Sequence, residues 1–268
     1  PEPSSDLVQD GFKESDFDDY VEHIKNEFKG KITNGCFAPW MMYKDEFLEM
    51  GGHDPRFASA REDSDVFNRL SLAGFELIQS WESFVYHLTA RGGQFQHGKV
   101  TKDESQKSEE WKKLMNNSTR EFFRKWGTTV LHDNLLKPIV PPKYDIGFVI
   151  KNCNEQILET LEPWCSTIYV DTYAEDYINK EQPNTTDDLT KKIYSIDADV
   201  QNDIEVRFDG SKLNNQNFNY IVQLSQILAN DELEVGSFEL DIFEININKI
   251  ETYEEELIVN ENTMFNTN

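Results

Sequence analysis

The chain has 268 residues, 38% hydrophobic and 12% aromatic, with 50 Asp and Glu against 26 Lys and Arg, a net charge of −24. Its 5 Trp and 18 Phe exclude a disordered chain, because that much apolar bulk collapses into a core. The acidity excludes nucleic acid and anionic lipid as leading partners, since both need a basic face. No run of about 18 apolar residues is present to span a membrane. The charge is uneven: from Tyr144 onward 26 acids face 7 Lys and Arg, net −19, whereas residues 1–143 carry net −5 and all five His. That asymmetry, with the length, predicts two modules. Cys36, Cys153 and Cys165 are odd in number and widely spaced. They form neither a disulfide framework nor a zinc motif, so a reducing, cytoplasmic setting is expected.

Phe17, Tyr20, Val21, Ile24 and Phe28 recur at helical spacing and predict an amphipathic helix over Asp16–Phe28, stopped at Gly30. Ile32–Trp40 is a short apolar stretch broken by Gly35. Lys44–Met50 predicts a helix ended by Gly51 and Gly52, and His53-Asp54-Pro55 a turn. Ser64–Leu72 predicts a helix with Val66, Phe67 and Leu70 on one face. Phe75–Gln79 and Phe84–His87 read as strands, and Arg91-Gly92-Gly93 as a loop. Glu109–Trp126 is helical, with Arg and Lys toward its C-terminus, where they favour the helix dipole.

Pro138, Pro141 and Pro142 stiffen a connection over residues 136–143, which separates modules 1–135 and 144–268. The second module opens on a buried-strand pattern, Ile146–Ile150, then a short helix Glu155–Leu161 and a strand Ser166–Asp171. Ile193–Ile196 is a third strand candidate, followed by Asp197-Ala198-Asp199. Phe218–Leu228 predicts one helix and Phe238–Ile247 one half-solvated strand. Ile250–Asn268 reads as a fraying acidic tail.

Chemistry concentrates in Arg61-Glu62-Asp63-Ser64-Asp65-Val66-Phe67-Asn68-Arg69-Leu70. Three carboxylates stand at a helix start, where the dipole and free N–H groups stabilise anions. Taken alone, such a run is better explained by a helix cap.

The order of the neighbouring pieces adds to this. Gly51-Gly52-His53-Asp54-Pro55-Arg56-Phe57 precedes the acidic run, and Gly74-Phe75 and then Val85-Tyr86-His87 follow it. Over residues 33–97 this order resembles the C-terminal half of family 2 glycosyltransferases of the GT-A fold. The resemblance implies an α/β fold: a partial, Rossmann-like GT-A domain followed by a second small α/β domain. It implies a hexosyltransferase-type enzyme that moves a sugar, with inversion, from a nucleotide-sugar donor to a hydroxyl of a glycan or other acceptor. By the same resemblance Asp63 is the base and Glu62 orients it or touches the acceptor. His87 is a ligand of a divalent cation, Mn or Mg, that takes the leaving diphosphate charge. Gly35, Trp40, Asp65 and Arg91 are the donor- or acceptor-facing candidates. Asp65 is better explained, with Arg69, as holding helix and loop together, and Trp81 as core packing.

One departure bears on activity. The family's donor-binding half, with its metal-binding DxD, should precede this stretch, yet only 34 residues precede Gly35. Asp16-Phe17-Asp18 has the letters but lies in a predicted helix. The chain therefore reads as lacking its donor half. A non-catalytic interaction or assembly protein on a truncated transferase domain is the alternative. A glycosidase is the weaker rival, because adjacent carboxylates on one helical turn do not face each other across a scissile bond.

Overall fold

A computed structural model describes residues 14–34, 39–58, 60–85, 109–229 and 234–259. The first part is mainly helical. Helix α1 (Glu14–Glu27) buries Ile24, and Gly30, at a φ of 67°, turns the chain into strand β1 (Ile32–Asn34). Strand β1 pairs antiparallel with β2 (Ile78–Ser80), and Trp81 fixes the corner. The Trp81 ring stacks on Phe28 at 4.4 Å and its indole N–H donates to Thr33 Oγ1 at 3.0 Å, so Trp81 is a packing residue. The expected second strand around Phe84 does not form at Phe84 or Val85. Helix α2 (Lys44–Glu49) and helix α3 (Glu62–Leu72) enclose a core of Met50, Val66, Phe67 and Leu70. Helix α3 ends at Gly74, whose φ of 80° lets Phe75 N–H reach back to the Leu70 carbonyl at 3.0 Å.

The second part is α/β. Its sheet has six strands in the order β5-β4-β3-β6-β8-β7. Strands β3 (Ile146–Lys151), β4 (Thr167–Val170), β5 (Ile193–Ser195) and β6 (Ile204–Asp209) are parallel. Strand β8 (Phe243–Ile247) runs antiparallel to β6, and β7 (Gly236–Leu240) antiparallel to β8. This parallel core is consistent with a Rossmann-like fold. Helices α5 (Glu155–Leu161), α6 (Glu175–Glu181), α7 (Asn215–Val222) and α8 (Leu224–Leu228) supply Leu158, Leu161, Tyr177, Ile221 and Leu224 to one core with Phe148, Ile150, Ile168, Val206 and Ile245. Side chains alternate across a strand, so Val149, Lys151, Arg207 and Asp209 point to the opposite face. The β5–β6 connection underlies that face at its base. A Cβ on Gly147 would lie 2.3 Å from Asn202 Oδ1, so only glycine admits Asn202 there.

Two expected elements are corrected. Phe238–Ile247 is a hairpin, because Asp241 adopts a φ of 53° and folds the run back on itself. Phe218–Leu228 divides between α7 and α8 at Gln223.

Helix α4 (Glu109–Trp126) joins the two parts. Toward the sheet, Phe123 stacks on Trp164 at 4.2 Å, and Arg124 meets Glu162 at 2.5 Å and Glu181 at 2.6 Å. Arg120 bonds Glu181 and the Tyr177 hydroxyl, and Lys192 pairs with Glu162. Toward the first part, Lys125 meets Asp54 at 2.9 Å and Asp65 at 2.6 Å, and Phe122 and Trp126 pack on Phe57. The cations at the end of α4 are thus buried ion-pair partners, not solvent-facing partners of the dipole. Beyond Trp126 the chain makes an exposed turn over residues 133–137 before Lys143, whose amine donates to the Arg124 and Lys125 carbonyls.

The tail does not fray over its described length. Tyr253 N–H donates to the Lys143 carbonyl at 2.8 Å and its hydroxyl bonds Asp203. Leu257 then packs with Phe57, Phe122 and Trp126, and Ile258 with Met50, Val66 and Leu70. Burial of these side chains outweighs the local charge of Glu254–Glu256. Among the described residues no helix is long and apolar enough to cross a membrane.

Candidate functional site

The acidic run forms the first turn of α3, and helix phase divides its carboxylates. Asp65 and Arg69 lie four residues apart on the buried face. Asp65 has no exposed surface; its oxygens meet Arg69 Nε at 2.8 Å, Trp126 Nε1 at 3.1 Å and Lys125. Arg69 also donates to the carbonyls of Met50 at 2.8 Å and Gly52 at 2.5 Å, just past the end of α2. Asp65 therefore braces the helix from within and has no oxygen left for donor or acceptor. This corrects its place among the ligand-facing candidates.

The preceding loop is likewise structural. Gly51 and Gly52 have φ values of 81° and 65°, which L side chains resist. Asp54 is buried and accepts hydrogen bonds from the backbone N–H, Nε and Nη2 of Arg56 and from Lys125 Nζ. Burial alone would raise its carboxyl, but the Arg56 and Lys125 hydrogen bonds and charges hold it far below the usual carboxylate range. Phe57 is buried in the α4 cluster. Trp40 is half-buried, its ring edge-on to Phe47 at 5.6 Å and Phe67 at 5.9 Å. Packing therefore occupies much of the ring that was expected to stack on a sugar.

Glu62 and Asp63 remain. Both are half-buried, at the end of the helix that accommodates anions. Asp63 Oδ1 accepts the Ser64 N–H at 2.8 Å, and its second oxygen has no hydrogen-bond partner among the described residues. Glu62 Oε2 is buried and unpartnered among them. An unsatisfied buried carboxylate oxygen costs about 1–3 kcal/mol and calls for an explanation. Arg61, just before this pair, holds a φ of 71°, a left-handed conformation uncommon for residues other than glycine. A left-handed residue and two carboxylate oxygens with no partner among the described residues thus coincide within three residues.

Gly35, His87 and Arg91 lie outside the described residues. Among those described, no group of three or more His, Cys, Asp or Glu is placed to hold a metal ion. Asp197 and Asp199 are exposed on the turn after edge strand β5 and gather no further ligand. The sequence places Asp54 only in a turn and Lys125 only among the cations at a helix C-terminus, although both position α3. The Lys125 partners, Asp54 and Asp65, are distant in sequence, so no local signal marks the pairing. No family model, curated protein or solved structure matches this chain.

Proposed function

We propose that this chain carries the acceptor side of an inverting, hexosyltransferase-type glycosyltransferase that uses a nucleotide-sugar donor, with Asp63 as the base. The observation that carries the reading is the contrast within one helical turn. Asp65 is turned inward and fully paired, whereas Glu62 and Asp63 each keep an oxygen with no partner among the described residues, beside a left-handed Arg61. Asp63 would accept the proton of the acceptor hydroxyl as that oxygen attacks the anomeric carbon. Glu62, next to it, would take a second acceptor hydroxyl on its unsatisfied oxygen. Mn or Mg would neutralise the leaving diphosphate, with His87 as the chain's own candidate ligand. The setting is cytoplasmic, in keeping with Cys153 and Cys165 as free thiols.

The test uses the full chain with Mn and a panel of UDP-, GDP- and dTDP-hexoses, scoring release of the nucleoside diphosphate in the presence of oligosaccharide acceptors. Asp63→Asn should lower turnover about 100-fold or more, a typical loss for a general base, with donor affinity and thermal stability unchanged. Retained turnover in Asp63→Asn would remove the assignment.

A second reading, a non-catalytic assembly protein, is favoured by Ile32, Met41, Tyr43 and Ile78. All four are more than half exposed on the first part, and apolar exposure of this kind marks contact surfaces. No release from any donor by the wild-type chain would put this reading first.

A further inference from the structure

A groove of about 450 Å³ opens on the face of the six-stranded sheet opposite its helical core, at the carboxyl ends of β3 and β6. Lys151, Arg207 and Asp209 form its floor, Glu239 and Glu244 of the hairpin its wall, and Lys212 its rim. Topology sets the place. The chain runs from β3 outward to β4 and β5, then crosses to β6 on the other side of β3. The strand order reverses between β3 and β6, and open parallel sheets bind ligands beyond the carboxyl ends of the strands at such a reversal.

The loops are rigidly tied. Asn152 holds a φ of 52°, donates its N–H to Asp171 at 2.7 Å and its side-chain amide to Asp209 at 3.0 Å. Gly210 backs onto the Asn152 carbonyl, which a Cβ would approach to 3.1 Å. Across the groove, Asp241 at the hairpin tip also has left-handed backbone.

The charge is selective. Lys151, Arg207 and Lys212 are three of only seven Lys and Arg from Tyr144 onward. Lys151 and Lys212 are exposed and form no ion pair among the described residues; Arg207 is tied to Glu205 through Nε and Nη2. A bare anion would meet repulsion from Asp209, Glu239, Asp241 and Glu244, which outnumber the cations of the groove, so the ligand must satisfy carboxylates as well as cations. Sugar hydroxyls do so by donating to carboxylates. The nearby rings, Phe208 and Phe243, are buried in the core and offer no stacking face to a nucleobase.

We propose that this groove binds a phosphorylated sugar, its phosphate on Lys151, Lys212 and Arg207 and its hydroxyls on Asp209, Glu239 and Glu244. The proposal is independent of the transferase reading, for it uses neither Glu62 nor Asp63. The experiment is calorimetric titration of the full chain, at low salt, with glucose 6-phosphate and glucose 1-phosphate. Free glucose, inorganic phosphate and UMP are the comparators. Saturable binding of at least one sugar phosphate is expected, about tenfold tighter than glucose, phosphate or UMP. Lys151→Met and Lys212→Met, both at exposed positions that should leave the melting temperature in place, should each weaken it about tenfold. Glu239→Gln with Glu244→Gln should weaken the sugar phosphate and not inorganic phosphate. Absence of saturable sugar-phosphate binding, indifference to the lysine variants, or UMP binding as tightly as the sugar phosphates would each overturn the proposal.

Discussion

Replacing Asp65 by Asn keeps the shape of the side chain and removes its charge. Two buried cations stay behind: Arg69, 1% exposed, and Lys125, 2% exposed. Lys125 retains Asp54 at 2.9 Å, but among the described residues Arg69 is left with the Met50 and Gly52 carbonyls and no carboxylate. Breaking a buried pair from one side costs about 3–5 kcal/mol, because the remaining charge is desolvated without a counter-ion. At about 2–4 °C per kcal/mol for a domain of this size, the melting temperature should fall by about 6–20 °C. Thermal unfolding followed by circular dichroism reads this directly. Asp63→Asn, at a half-exposed position, serves as the control and should stay within about 0.5 kcal/mol of wild type. Adding Arg69→Met to Asp65→Asn should recover part of the loss, since the uncompensated charge goes with it. If Asp65→Asn melts within about 2 °C of wild type, Asp65 does not brace α3 and its removal from the ligand-facing set fails.

Two further predictions concern the joint between the parts. Burial alone would raise the Glu162 carboxyl, but Lys192 and Arg124 bring it down to about 2. An unfolded glutamate titrates near about 4.3, so its contribution is complete above that pH and is lost as pH falls through about 2. Glu162→Gln should therefore destabilise the protein by about 3–5 kcal/mol at neutral pH, with the gap from wild type closing during acid titration; a constant gap would contradict the assignment. Lys143 is pushed the other way: burial, and then the charge of Lys192, lower its amine to about 7. Between there and the unfolded lysine value of about 10.4 the unfolded chain binds the extra proton. Stability relative to Lys143→Met should thus rise by up to about 1.4 kcal/mol per pH unit above neutrality, and a pH-independent difference in urea unfolding would refute the shift.

The elements legible in the sequence were those whose signals are local. Helix α3 carries apolar residues at helical spacing and a Gly stop, and α4 showed its full span from Glu109 to Trp126. Strand β6 escaped because Glu205, Arg207 and Asp209 alternate with its apolar residues on a face that no helix covers. The β7–β8 turn escaped because its left-handed residue is Asp241 and not Gly. Within the candidate site, Glu62 and Asp63 stood out by position, but Asp65 belonged to the same run of acids. Its pairing with Arg69, four residues on, was legible as a helix brace, but its burial against Lys125 and Trp126, far away along the chain, was not. The role of Ile258 in the first core had no sequence signature, because contact between distant segments leaves no periodicity.

The exposed turn at residues 133–137 carries almost none of what unites the two parts. Helix α4 belongs to the earlier segment yet anchors the sheet, and Leu257 and Ile258 belong to the later segment yet complete the earlier cores. A single peptide-bond cut in that turn would sever the polypeptide and leave these contacts in place. The nicked molecule would be a two-component complex, bound through space by an interlocked pair of pieces, each holding part of the other's interior.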